Sequence, residues 1–142
     1  VFKCSVKYLN SMIFRESFET KTETLNYVDI TKEIQQIAKK SKVKDGICHI
    51  FLPGTTAGLM INEMDQLLME DFKLLFRELI SEKRMYAHPE NAQSHLRAAM
   101  LSQSISLPVS KSKIELGTWQ SILLWEFDVK SRTRKLIVTV FG

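Results

Sequence analysis

Residues 104–141 read SISLPVSKSKIELGTWQSILLWEFDVKSRTRKLIVTVF, and this stretch decides the fold class. It is rich in β-branched, aromatic and aliphatic residues, and short runs of turn-forming residues at 110–112 and 129–133 interrupt it. The pattern predicts four strands, at Ser104–Val109, Lys113–Leu116, Gln120–Phe127 and Leu136–Phe141.

Three helices are predicted ahead of this β-rich stretch. The first places apolar residues at i, i+4, i+7 and i+8, and Asp29 or Thr31 can cap it. The second is the expected main core helix, because apolar residues recur at helical spacing over residues 64–79, about four to five turns. The third is shorter and runs from Asn91, a good N-cap residue, to about Leu101.

The order of strands and helices predicts an α+β fold. Ile13–Val28 reads as two short strands joined by a polar turn, and Ile47–Leu52 reads as a buried strand that ends at Pro53-Gly54. Strands and helices do not alternate as a repeating βαβ array would require. A length of 142 residues fits one domain with one core, here residues 12–142 preceded by an N-terminal extension or edge strand at residues 1–11.

Composition and charge are those of an ordinary globular protein. The chain is 44% hydrophobic and 25% charged, and its net charge of +4 leaves an anionic ligand open. The densest basic run has no interleaved aromatic residues, so a solvated helix end is favoured over a nucleic-acid surface. That run consists of Lys39, Lys40, Lys42 and Lys44.

The sequence also predicts where the protein resides. No apolar stretch approaches the roughly 18 residues that span a bilayer, and the N-terminus lacks the features of a signal peptide. Cys4 and Cys48 have no metal-type spacing and read as reduced thiols. We therefore expect a cytoplasmic protein with neither a membrane nor a nucleic acid as partner.

The first polar constellation is a small-residue loop, Gly54-Thr55-Thr56-Ala57-Gly58, followed by Asn62-Glu63. Small residues let the loop backbone approach a ligand closely, and hydroxyl and N–H groups can receive the oxygens of an anion. A plain turn is the alternative. Glu63 is either a base or metal ligand, or an exposed carboxylate at the start of a helix.

The second constellation is Tyr86-x-His88 followed by Asn91-x-x-x-His95. The turn and the helical spacing allow these side chains to converge, but two histidines are too few for a zinc site. A third ligand would come from Glu63, Glu90 or His49. We assign His49 to structural hydrogen bonding within its strand and His95 to the site.

The third constellation is Leu116-Gly117-Thr118-Trp119-Gln120. Glycine within a run of strands often marks a bulge or a close backbone approach. Trp119 and Gln120 can present a flat ring beside an amide, although a core tryptophan at a strand bend is the alternative.

These motifs together resemble the YjbQ-like family, also called the secondary thiamine-phosphate synthase enzyme family. The resemblance covers residues 12–142 and implies a compact α+β domain of mostly antiparallel sheets packed with two to three helices. It implies a homotrimer with a cleft near the subunit interface. The residues that carry it are 55–63, 91–101, 104–109, 114–120 and 126–128.

The resemblance also implies an activity, a transferase that joins a hydroxymethylpyrimidine diphosphate to a thiazole phosphate and gives thiamine phosphate and pyrophosphate. Such chemistry normally uses a divalent metal, here Mg or Zn. The alternative function is a non-catalytic trimeric binding protein for a phosphorylated or other anionic small metabolite.

Roles for individual residues follow from the motifs and the resemblance. His95 is the candidate general acid or metal ligand, Glu63 the candidate base, and His88 a second candidate metal ligand. Gly54 stands where many members have a histidine, which removes one candidate ligand. The expected ligand-binding residues are Thr55, Thr56, Asn62, Asn91, Arg97, Trp119 and Gln120.

Overall fold

Apart from the strand at Ala57–Asn62, strands and helices follow one another in the order that the hydrophobic pattern predicts. The computed structural model describes residues 12–142, so Cys4 and the predicted extension at residues 1–11 lie outside the described residues. The elements are β1 (Ile13–Thr22), β2 (Asn26–Asp29), α1 (Thr31–Ser41), β3 (Asp45–Phe51), β4 (Ala57–Asn62), α2 (Gln66–Leu79), α3 (Ala92–Ala99), β5 (Ser104–Ser110), β6 (Lys113–Ile114), β7 (Ser121–Glu126) and β8 (Arg132–Phe141).

The described strands form a five-stranded sheet in the order β1-β8-β3-β5-β6 and a three-stranded sheet in the order β2-β7-β4. All of their pairings are antiparallel. The structure therefore confirms an α+β fold of antiparallel sheets with three helices.

The main core lies between the two sheets and is completed by α1. Strand β7 is buried on both faces. Its alternate side chains point to opposite faces, and each face packs into a different cluster. Ile122 and Leu124 join the main core, whereas Leu123, Trp125 and Phe127 join a second cluster with residues of α2 and α3. The three-stranded sheet is thus a middle layer between the five-stranded sheet and these two helices.

Helix α2 is not the main core helix that its spacing predicts. Only Met69 and Phe76 are buried on it, whereas Leu67 is 77% exposed and Leu79 58% exposed. Apolar residues occupy more of this helix than the three-stranded sheet covers, so several leucines face outward. The helix begins at Gln66 because the Asp65 carboxylate accepts a hydrogen bond from the Leu68 N–H and caps it.

Strand β8 begins at Arg132, four residues before its predicted start at Leu136. The predicted turn over residues 129–133 is therefore too long. Arg132 pairs with Thr22 and Arg134 with Thr20, so the two arginines extend the ladder with β1. In the sequence, basic residues at a strand end resemble turn residues. Only their pairing with β1 in the folded protein shows that they belong to the sheet.

Two other side chains complete the picture of the core. Trp119 is 71% exposed, so the alternative of a core tryptophan at this position is wrong, and Trp125 is the buried tryptophan. Cys48 lies on the central strand β3 with no exposed surface, and burial raises the pKa of its thiol to about 12. It is unpaired among residues 12–142 and stays protonated at neutral pH.

Candidate functional site

The small-residue loop lies where the two sheets meet. Thr56, the last residue before β4 begins at Ala57, is buried, and its carbonyl accepts a hydrogen bond from the Phe127 N–H just after β7. The Thr56 hydroxyl accepts a hydrogen bond of 2.7 Å from Nη2 of Arg134 on β8. The loop thus touches both sheets, while Gly54 and Thr55 stay exposed.

A buried ion pair lies directly beneath this loop. Glu126 has no exposed surface, and Nε and Nη2 of Arg134 donate to its two carboxylate oxygens, each over 2.6 Å. Thr22 on β1 donates its hydroxyl to the same carboxylate over 2.7 Å. A two-point pair of this kind fixes the guanidinium in one orientation.

A second ion pair continues the first. Asp128 is only 2% exposed, accepts a hydrogen bond from Nε of Arg132, and accepts another from the Val129 N–H over 2.7 Å. The Asp128 N–H in turn donates to Oε1 of Glu126 over 2.9 Å. We call this set the charge network, and it consists of Thr22, Thr56, Glu126, Asp128, Arg132 and Arg134.

The electrostatics of the network favour the ionised form of Asp128. Burial by itself would raise the pKa of Asp128, but the hydrogen bonds from Arg132 and Val129 and the positive charges of Arg132 and Arg134 outweigh it. The pKa of Asp128 is therefore lower than its ordinary value. Asp128 is an acceptor that holds Arg132 in place at neutral pH.

Except for Thr56, the residues of the charge network were not among the site residues predicted from the sequence. Glu126 and Asp128 entered only as part of the family motif, Arg132 was read as part of a turn, and Arg134 was assigned to no element. The sequence does contain a signal. Glu126 and Asp128 are two residues apart, and so are Arg132 and Arg134, so each pair lies on one face of an extended chain together with buried residues. Strand alternation aligns Glu126 with Leu124, and Arg134 with Leu136.

Gly54 leaves one edge of the Arg134 guanidinium uncovered. Its φ angle is +143°, and a Cβ atom placed there would lie 3.2 Å from Nη1 of Arg134. Within residues 12–142, Nη1 makes no hydrogen bond, whereas Nε and Nη2 are both occupied. A fixed donor therefore faces a loop position that has no side chain.

A second group of predicted residues lies at the opposite end of β4. Asn62 pairs with Ser121, which directly follows Trp119 and Gln120 in the chain, and Glu63 is exposed. The extended strand between Thr56 and Glu63 separates them by roughly 20 Å at about 3.3 Å per residue. Within one chain, these residues and the Thr55-Thr56 loop do not meet.

The histidines form a third group on α3 and the loop before it. Nε2 of His88 lies 3.0 Å from Oδ1 of Asn91, and the rings of His88 and His95 are 5.6 Å apart. They border a mostly apolar pocket of about 520 Å³, lined by Tyr86, Ala87, His88, Ala92, His95 and Leu96. The predicted convergence of these three polar side chains occurs.

The donors among the described residues of one chain do not fit a metal site. Among residues 12–142, no three or more His, Cys, Asp or Glu side chains stand close enough together to bind a metal ion. Structural sites usually need four ligands and catalytic sites three. The role predicted for His88 and His95 as metal ligands stays a prediction.

Arg97 is buried and joins α3 to the end of α2. Its Nε donates to the Phe76 carbonyl and its Nη2 to the Ile80 carbonyl, while Nη1 lies 3.0 Å from Glu82. The Ile80 carbonyl is one that the helix end leaves unpaired, whereas the Phe76 carbonyl also accepts a hydrogen bond from the Ile80 N–H. They occupy the guanidinium that the sequence assigned to ligand binding.

His49 makes the structural hydrogen bond expected of it. The side chain points from β3 to the outer face of the five-stranded sheet, and Nδ1 lies 2.9 Å from the Ser106 hydroxyl on β5. None of the predicted site residues pairs with it in the ladder, which joins it to Thr139 and Ser106.

Comparison with known proteins gives one family throughout. The family model described as UPF0047 protein YjbQ-like matches residues 16–142. A UPF0047 protein of Methanocaldococcus jannaschii is 37% identical over 134 residues, which cover 92% of this chain and 95% of that protein. A UPF0047 protein of Archaeoglobus fulgidus is 38% identical over 78% of this chain and 87% of its own length.

Solved structures agree. A crystal structure of a protein of unknown function from Sulfolobus solfataricus has a TM-score of 0.83 and 34% identity, covering 92% of this chain and 99% of that one. A protein from Clostridium acetobutylicum has a TM-score of 0.78 and 33% identity, covering 87% of this chain and 98% of that one. Among residues 12–142 we find no helix with the length and apolar character needed to cross a bilayer. The chain therefore belongs to the UPF0047, YjbQ-like family.

Proposed function

We propose that this protein binds a phosphorylated or other anionic small metabolite where the loop of residues 53–56 meets Arg134. One observation carries the proposal. The Arg134 guanidinium is fixed on two sides by Glu126 and Thr56, and its remaining edge, Nη1, faces Gly54.

The physical basis is preorganisation. A guanidinium already held in one orientation loses little conformational freedom when an anion binds, and its planar fork suits phosphate and carboxylate oxygens. The side chain of Arg134 is only 12% exposed, so an anion reaching Nη1 leaves much of its water behind and interacts more strongly. The exposed Thr55 hydroxyl supplies a second donor at the same loop.

A side-chain NMR titration tests this binding. The ¹⁵N signals of Arg134, assigned by their loss in Arg134→Lys, should shift as pyrophosphate is added. Thr55→Val should weaken pyrophosphate binding by roughly threefold to tenfold, since one hydrogen bond contributes about 0.5–1.5 kcal/mol. Thr24→Val, another exposed threonine, is the matched control. Arg134 signals that do not move at saturating pyrophosphate would overturn the proposal.

A transferase of the thiamine-phosphate synthase type is the second candidate. A fixed arginine can stabilise the charge that develops on a departing diphosphate, and this feature favours the candidate. In it, His95 acts as general acid and Glu63 as base. The purified protein should form thiamine phosphate from the two precursors with magnesium, beside an authentic synthase as control, and His95→Ala should abolish turnover. Binding without product in that assay would leave only the first proposal.

We also propose that the protein assembles as a homotrimer and works in the cytoplasm. Support for assembly comes from an apolar row on the outer face of the five-stranded sheet. Ile13, Phe141 and Ile47 are neighbours across β1, β8 and β3, and their exposures are 71%, 39% and 42%. Assembly would also allow the residue groups that one chain keeps apart to meet across a subunit boundary.

A further inference from the structure

A basic pocket lies beside the charge network, on the side where β1 ends and β8 begins. Its volume is about 660 Å³. Strand β1 contributes Lys21 and Thr22, and the turn after it contributes Glu23. The loop before β8 and the start of that strand contribute the rest of the lining, Lys130, Ser131, Arg132 and Thr133.

The lining of the pocket carries more positive than negative charge. Lys21, Lys130 and Arg132 line it, against one carboxylate, Glu23. In the part of the chain that the structure describes, neither lysine lies within 4.0 Å of a carboxylate oxygen. Both lysines are exposed, so a solvated surface would explain them alone.

Arg132 is what distinguishes this pocket from a solvated surface. Its Nε is bound to Asp128, whose side chain is 3% exposed, so a buried carboxylate fixes the guanidinium. Within residues 12–142 its two terminal nitrogens make no hydrogen bond, and the side chain is 43% exposed at the pocket. The outer edge of the fork is therefore presented, in a fixed orientation, to the pocket that Lys21 and Lys130 also line.

Hydroxyl groups complete the donor set. Ser131 and Thr133 are exposed on either side of Arg132 in the chain. Thr22 does not belong to this set, because its hydroxyl donates to the buried Glu126. A tetrahedral dianion has several oxygens for arginine, lysine and hydroxyl donors at once, whereas a carboxylate has only two.

We infer that this pocket is a second anion subsite, in which Arg132, Lys21 and Lys130 bind the phosphate group of a small molecule. The inference goes beyond the proposed function because it concerns different donors, on the other side of the charge network from Gly54. Different carboxylates of the charge network hold the two arginines, Asp128 for Arg132 and Glu126 for Arg134.

The test is a titration with inorganic phosphate at low ionic strength, followed by ¹⁵N signals of Arg132 and by calorimetry. Phosphate should shift the Arg132 signals. Lys21→Gln/Lys130→Gln should raise the dissociation constant at this site about tenfold, as expected for losing two partly solvated charge contacts. This variant leaves the charge network intact and should unfold at the wild-type temperature.

The matched control is Lys111→Gln/Lys113→Gln. It removes the same charge near β6, at the opposite edge of the five-stranded sheet from β1. Its dissociation constant should stay within about twofold of wild type, because screened charges at that distance contribute little.

Three results would overturn the inference. The first is an equal loss of affinity in both lysine variants, which would indicate a general charge effect. The second is that the ¹⁵N signals of Arg132 do not shift at saturating phosphate. If the signals of Arg134 alone then shift, only the site at Gly54 remains. The third is a DNA duplex that binds more tightly than phosphate and loses affinity in Lys21→Gln/Lys130→Gln, which would assign the pocket to nucleic acid.

Discussion

Glu126 and Arg134 form an ion pair that the sheets almost completely enclose, with side-chain exposures of 0% and 12%. Glu126→Gln removes the negative charge and leaves the buried guanidinium without a counter-charge. Removal of one partner of such a pair costs about 3–5 kcal/mol. We expect a loss of that size in the free energy of unfolding, measured by urea denaturation.

A double-mutant cycle separates the pair from the general cost of substitution. Glu126→Leu/Arg134→Met replaces both charges by apolar side chains and leaves no unpaired charge. Its destabilisation should be smaller than the sum of the two single changes by about 1–3 kcal/mol. Additive effects would show that the two side chains do not stabilise each other.

Asp128 makes the free energy of unfolding depend on pH under acidic conditions. Because its pKa is lower in the folded protein than its ordinary value, its contribution is present above the unfolded pKa of about 3.9 and is lost as pH falls through the folded pKa. We expect the wild type to lose more free energy of unfolding below about pH 4 than Asp128→Asn does. Asp71→Asn, at an exposed position on α2, should follow the wild-type profile.

At the level of single residues, the sequence predicted the loop but not its partners. Thr55 and Thr56 were recognisable because small residues and hydroxyls after a buried strand form a simple local pattern. The partners Glu126 and Arg134 come from strands that only the tertiary fold brings together, so no local pattern reports their contact. The separation of Glu63 from Thr56 likewise depends on β4 being fully extended, a feature of its pairing with β7.

Strand β4 and the end of α3 approach each other at Gly58. A Cβ atom at this position would lie 2.6 Å from Cβ of Leu101, which is too close for any real contact. Gly58→Ala should therefore destabilise the protein by about 1–3 kcal/mol, seen as a lower unfolding temperature. Gly117→Ala is the control, because its Cβ would meet only the flexible end of Gln120 at 3.3 Å. Equal effects of the two changes would contradict the packing explanation.

At the level of elements, periodicity predicted most strands and helices because a buried face requires it. The prediction from periodicity was wrong where apolar residues of a helix are exposed and where the residues of a strand are charged. The leucines of α2 repeat at helical spacing, yet Leu67 and Leu79 face outward. Arg132 and Arg134, at the start of β8, pair across the sheets with Asp128 and Glu126.

At the scale of the whole molecule, the apolar row on the outer sheet face is where we expect copies to meet. Ile47→Lys places a charge at one end of this row and should lower the mass in sedimentation from three times the 16.4 kDa chain to that of one chain. Leu67→Lys, on the exposed side of α2, is the matched control and should leave the trimer intact. Dissociation by Leu67→Lys alone would move the interface to the helical layer.

The buried thiol of Cys48 can report how often the centre of the five-stranded sheet opens. In a Cys4→Ser background it is the sole thiol of the chain. With no exposed surface and a pKa of about 12, it reacts with an alkylating reagent only when the centre of the five-stranded sheet opens. Pulsed alkylation followed by mass spectrometry should therefore proceed at the opening rate and accelerate in Glu126→Gln. Labelling as fast as that of a free thiol would contradict this closed centre. Slow labelling would make the alkylation rate of this one sulfur atom a measure of how often the centre of the sheet opens.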